Sequence, residues 1–96
     1  MIGHNEEIAR RVREIMVDVL DLRLSPAEIR DDISLYSPTI RLDSLNLLQL
    51  LMAVEAEFGG HIEDEDIMEA DLENVGDLIT LISRKMQTAA VRDGAV

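Results

Sequence analysis

Apolar residues recur at helical spacing in three parts of this chain. Ile8, Val12, Ile15, Met16, Val19 and Leu20 form the first stripe, with Arg10, Arg11, Arg13 and Glu14 on its wet side. This pattern predicts a first helix that runs out near Leu22 to Leu24. Ser25, Pro26 and Glu28 then stand as N-cap, first helical residue and capping-box acid. A short helical turn is expected there, with Ile29 facing inward. Residues 30–42, RDDISLYSPTIRL, carry no sustained period and include Pro38. They read as a long ordered loop pinned to the core by Ile33, Leu35 and Ile40.

The second helix is predicted to begin at Asp43 or Ser44 and to stop at Gly59 and Gly60, which suit a left-handed end. At about 100° per residue, Leu47, Leu50, Leu51, Val54 and Phe58 share one core stripe. Leu45, Leu48 and Met52 fall on a second arc, with Ser44 between the two. That second arc is either further core or a docking face, and a flexible Met among polar residues suits partners that vary. The acidic segment after Ile62 allows one helical turn around Glu65 to Met68, and Asn74 caps a last helix that buries Val75, Leu78, Ile79, Ile82 and Met86. The expected fold is all-α, a single domain of three main helices and one or two short ones, with its core over about 8–86. Residues beyond about Thr88 are expected to fray.

Composition narrows the chemistry. Tyr36 and Phe58 are the only aromatic residues in 96, so the core must be aliphatic, which suits helices better than a sheet. The chain contains no cysteine, which excludes disulfides, thiolate catalysis and cysteine-ligated metals. A formal net charge of −11 would repel a phosphate backbone, so nucleic acid is not an expected partner. No apolar run is long enough to span a bilayer, and the N-terminus lacks a signal-like segment; a cytoplasmic protein with no membrane association is the expectation. A monomer in transient contact with partners is also expected, though not from these features.

Ser44 has three readings. The plain one is that Asp43 or Ser44 merely caps the helix. A catalytic serine would need a base, yet the only histidines, His4 and His61, fit no triad motif, and no G-x-S-x-G elbow is present. Metal binding fares no better: counting from Asp64, the sixth position of a calcium loop is Glu69 rather than Gly, and the twelfth is Val75 rather than Glu. The third reading is a hydroxyl modified by another enzyme, where an attached phosphodiester would lie near the positive end of the helix dipole.

The order of residues bears on this choice. LDSLNLLQLLMAVEAEFGGHIEDEDI resembles the core signature of acyl carrier and peptidyl carrier proteins, in which Asp-Ser-Leu opens the second helix. The likeness continues through Glu55 to Phe58, the acidic turn at Ile62, Glu63 and Asp64, and Val75 with Leu78, and covers about Ile8 to Met86. It implies a small four-helix bundle of the acyl-carrier type and a carrier rather than an enzyme. It further implies that Ser44 receives 4′-phosphopantetheine from coenzyme A, with Asp43 and Leu45 in the motif read by a phosphopantetheinyl transferase. The cofactor would bring the thiol that the chain lacks, and cargo would travel as a thioester. Other implied partners are an acyl- or aminoacyl-loading ligase and downstream synthase, transferase or modifying enzymes.

The departures are local. Carriers of the fatty-acid type usually place acids where this chain has Asn46 and Gln49, and many members have Gly where Arg41 stands. The expected partner-facing residues are Asp43, Leu45, Asn46, Gln49, Met52 and Glu55. The loss of acid among them implies a discrete carrier for a specialised polyketide, nonribosomal peptide or modified-acyl pathway, with housekeeping fatty-acid synthesis as the alternative. An unmodified helical interaction module is the more remote one. Leu47, Leu51, Val54, Phe58, Ile67 and Leu72 line the bundle and read as core, with room for a cargo chain only if they part.

Overall fold

Among the described residues, the inner helix ends fall where side chains or left-handed residues satisfy the orphan backbone groups. The computed structural model describes the backbone of residues 3–95 and the side chains of residues 6–86. Its elements are α1 (Gly3–Leu20), a 3₁₀ turn (Pro26–Glu28), α2 (Ser44–Phe58), α3 (Asp64–Ala70) and α4 (Val75–Ala95). α4 is described as helix to Ala95, past the Thr88 beyond which fraying is expected; the side chains there, and that of His4, lie outside the described ones.

α1 ends with its apolar stripe at Leu20, short of the run-out expected near Leu22 to Leu24. Asp21 adopts the left-handed conformation (φ 54), and Leu22 N–H donates to Val17 O at 3.1 Å. This is a Schellman-type closure, which overrides the apolar pattern of Leu22 and Leu24. The next turn forms as its sequence predicts, with Glu28 Oε1 accepting from the Ser25 N–H at 2.9 Å and Ile29 only 2% exposed. Arg13 holds the turn onto α1, donating to Ile29 O at 3.0 Å and pairing with Asp31.

The long loop is less irregular than the sequence suggests. Leu35 N–H donates to Glu73 O at 2.9 Å, Val75 N–H to Ile33 O at 2.9 Å, and Gly76 N–H to Asp31 O at 2.8 Å. A single antiparallel bridge, Ser34 with Asn74, results. The loop is thus stitched to the start of α4, while Leu35, Ile40 and Leu42 sink into the core. Tyr36 is largely exposed, yet its hydroxyl donates to Leu72 O at 3.0 Å and ties the loop to the end of α3. Too short to show a period, this pairing left no sequence signal.

α3 is longer than the single turn expected, and it stops at Asp71, another left-handed residue (φ 52). At α4 the side chains of Asn74 and Asp77 exchange bonds with each other's backbone N–H, at 2.9 and 3.1 Å. Val75, Leu78, Ile79, Ile82 and Met86 are buried as predicted, and Leu81, unassigned by the stripe, joins them. α2 and α4 both pack on α1, and α3 lies against α4. Surface pairs link the helices: Arg11 forks onto Glu57 (2.9 and 3.1 Å), and Lys85 meets Asp66 (3.1 Å). Both pairs are at least partly open to solvent, so they add modestly to stability. Among the described residues no helix is long and apolar enough to cross a membrane.

Two predictions follow from this packing. Leu50, fully buried, and Leu48, 56% exposed, lie two residues apart on α2. Leu50→Ala should cost about 2–5 kcal/mol in denaturant unfolding, whereas Leu48→Ala should stay within about 0.5 kcal/mol. Equal costs would contradict the two-faced helix. Separately, the Glu63 N–H bond, with Lys85 second, holds the Asp66 carboxyl below its ordinary value of 3.8. Its stabilisation is complete above 3.8 and lost as pH falls through the lowered value. Asp66→Asn should therefore be less stable than the native chain at neutral pH, and the gap should close in acid; a gap independent of pH would contradict this.

Candidate functional site

The start of α2 is built by a reciprocal cap. Asp43, in extended conformation (φ −140, ψ −179), accepts the Asn46 N–H through Oδ1 at 2.9 Å. Asn46 Oδ1 in turn accepts the Asp43 N–H at 2.8 Å. The Asn46 Nδ2 also donates to Arg41 O at 3.2 Å, so one amide links the incoming loop to the first turn. Of the two cap candidates in the sequence, Asp43 is the cap. Ser44 is consequently the first helical residue and is exposed. Its hydroxyl makes no side-chain hydrogen bond among the described residues.

The loop reaches this point through an unusual residue. Arg41 has φ 58, the left-handed region that glycine occupies at least cost. Its N–H donates to Ser37 O at 2.7 Å, and the next residue, Leu42, is buried and bonds Leu35 O at 2.9 Å. The backbone beneath Ser44 is therefore fixed on both sides of the turn.

The second arc of α2 is an outer face. Leu45, Leu48 and Met52 are 68%, 56% and 59% exposed, and Gln49 is exposed beside them. Leu48, which the sequence left between core and surface, lies on the surface. Met68 of α3 is 78% exposed as well; the sequence missed it because the acidic segment predicted only one turn. Two residues grouped as partner-facing also have bonds within the fold. Asn46 is half-buried in the cap. Glu55 is also half-buried, accepts the Ile62 N–H at 2.8 Å and meets His61 Nδ1 at 3.1 Å. Leu51, Val54 and Leu72 are buried and Leu47, Phe58 and Ile67 partly so, all within the core.

His61 directs its other nitrogen to Glu63 at 3.3 Å, so both of its partners are carboxylates rather than a serine. Among the described residues no group of three or more His, Asp or Glu is placed to hold a metal ion. A groove of about 600 Å³ between α1 and α4, lined in part by Ala9, Arg13, Ile79 and Arg84, includes no α2 residue. What this site offers is one accessible primary hydroxyl on a rigid helix start, next to an exposed apolar face. That arrangement suits an attached group rather than a reaction catalysed by the chain itself.

The comparisons agree in class. The family model described as phosphopantetheine attachment site matches residues 10–82. The acyl carrier protein of Solidesulfovibrio magneticus is 38% identical over 78 residues, covering 81% of this chain and 94% of that one. That of Petrotoga mobilis is 36% identical over 81 residues, covering 84% and 89%. The meromycolate extension acyl carrier protein of Mycobacterium leprae is 33% identical, covering 82% and 64%. A solved acyl carrier protein from Enterococcus faecalis superposes with a TM-score of 0.63 over 84% of this chain and 96% of that one; at 23% identity it speaks for the fold alone.

The fold is that of an acyl carrier bundle. The chain belongs to the acyl carrier family of phosphopantetheine-attachment proteins. It is a carrier and not an enzyme, and the covalent 4′-phosphopantetheine of that family is its cofactor. Phosphopantetheinyl transferases and biosynthetic enzymes are the partners of this family.

The cap and the left-handed turn make opposite predictions. Asp43→Ala should lower unfolding stability by about 1 kcal/mol through loss of the cap bond. Arg41→Gly should leave stability unchanged or raise it by up to about 1 kcal/mol, while Arg41→Val should lower it. Thermal unfolding of the three variants checks this, and a destabilised Arg41→Gly protein would contradict it.

Proposed function

We propose that Ser44 is the residue to which the phosphopantetheine arm is attached, and that the loaded chain serves a dedicated pathway in the cytoplasm. The observation that carries the first statement is the exposed, unbonded hydroxyl at the first helical position, left free because Asp43 supplies the cap. When bound, the arm supplies a thiol on which acyl or aminoacyl groups ride. The protein's own contribution is positional. α2 holds the attachment point rigidly and lets the arm swing, which raises the effective concentration of cargo at successive enzymes.

The proposed docking face is Leu45, Leu48, Gln49 and Met52, with Asp43 at its edge. Asn46 contributes by building the cap, and Glu55 by fixing the loop after α2. Neutral Asn46 and Gln49 give the start of α2 little of the chain's acidity, and rim charges chiefly set association rate and partner choice. This supports a specialised polyketide, nonribosomal peptide or modified-acyl pathway over housekeeping fatty-acid synthesis. The relative named for meromycolate extension is one case of a specialised carrier. A loading ligase and downstream synthase, transferase or modifying enzymes would meet a monomer transiently on this face.

Incubation with coenzyme A and a broad-specificity phosphopantetheinyl transferase should add the mass of one phosphopantetheine, and Ser44→Ala should abolish the addition. Addition that survives Ser44→Ala overturns the assignment. For the pathway, Gln49→Glu should raise processing by fatty-acid-synthase enzymes severalfold, most at low salt. If the unaltered protein already matches a housekeeping carrier with those enzymes, the specialised role is wrong.

A further inference from the structure

We infer that Arg41 pairs with the phosphodiester that joins the arm to Ser44, and so biases the direction in which the arm leaves the helix. This rests on the Ser44 assignment above. A phosphodiester on Ser44 would be an anion beside the Asp43 carboxylate, on a chain of formal net charge −11. The helix dipole favours it, but the fixed like charge next door opposes it. A cation close by would offset that repulsion.

Arg41 is the basic residue nearest to Ser44 in sequence, and it is exposed. Among the described residues, Arg11, Arg13, Arg30 and Lys85 are paired with Glu57, Asp31, Asp32 and Asp66. Arg41 takes part in no such pair. Its base is anchored as well. The Arg41 N–H bonds Ser37 O at 2.7 Å, and its carbonyl accepts from the Asn46 amide that also closes the helix cap. Arg41 and Ser44 are thereby mounted on one hydrogen-bonded frame, which reduces the freedom lost when the guanidinium meets a phosphate. The planar guanidinium matches a phosphate through two parallel N–H bonds, which an ammonium cannot reproduce.

The backbone is consistent with this placement. A left-handed turn favours glycine, yet an arginine occupies it at φ 58. Its side chain serves no internal ion pair, which leaves the guanidinium available to a group outside the fold.

The test uses the isotope-labelled protein before and after loading, with the phosphorus resonance and the Arg41 Nε–H resonance as readouts. Loading of the native chain should move the Arg41 Nε–H signal. The phosphorus signal of loaded Arg41→Gln should differ from native, with Arg41→Lys between them. Raising salt should bring the native phosphorus signal toward that of Arg41→Gln, because an exposed pair is screened. Gln and Lys both keep a side chain at the left-handed position, so backbone relief does not enter the comparison. An unmoved Arg41 signal with Ser44 loaded, or identical phosphorus signals in all three proteins, overturns the pairing alone. Failure of the group to load on Ser44 overturns the pairing together with the assignment beneath it.

Discussion

The site depends on two short hydrogen bonds exchanged between Asp43 and Asn46. A helix beginning in this sequence needs a side chain to satisfy its first N–H groups, and Ser44 is chemically able to do it. Because Asp43 takes that duty one residue earlier, Ser44 moves inside the helix with its hydroxyl unbonded. A small shift in which residue caps the helix thus separates a structural serine from one accessible to another enzyme. The extra bond from Asn46 to Arg41 O makes the same cap a clamp on the incoming loop.

The rest of the molecule keeps this clamp still. The loop before it is stitched to α4 through Leu35, Val75 and Gly76, and its apolar residues Leu35, Ile40 and Leu42 are buried. The end of α2 is fixed by left-handed Gly59 (φ 82) and by Glu55 holding Ile62. A carrier needs this division of labour. Its arm must move through solvent while its point of attachment and its docking face present the same shape to each partner. The exposed apolar arc of Leu45, Leu48 and Met52 is affordable only because Leu50, Leu51 and Val54 on the other side supply the packing.

Much of this was legible beforehand, for identifiable reasons. The helical stripes, the Asn74 cap, the glycine stop and the Ser25 turn are local signals, encoded within a few residues of where they act. The family resemblance adds the proposed role of Ser44, which local pattern alone leaves as a cap. What the sequence concealed is long-range or conformational. The Ser34–Asn74 bridge pairs residues far apart in the chain, so no period reveals it. The early stop of α1 depends on Asp21 adopting a conformation that few aspartates take. The positions of Glu55 and Asn46 along α2 are visible in the sequence, while their bonds to Ile62 and Asp43 are not. The left-handed state of Arg41 had a faint sequence signal, namely its place where relatives of this type often carry glycine.

The central claim is that one hydroxyl, freed by the Asp43 cap, bears the arm. Fragment-ion mass spectrometry of the fully loaded protein tests it most directly, by locating the added group residue by residue. The group is expected on Ser44 in every loaded molecule. Location on Ser34, Ser37, Thr39 or any other hydroxyl would contradict it.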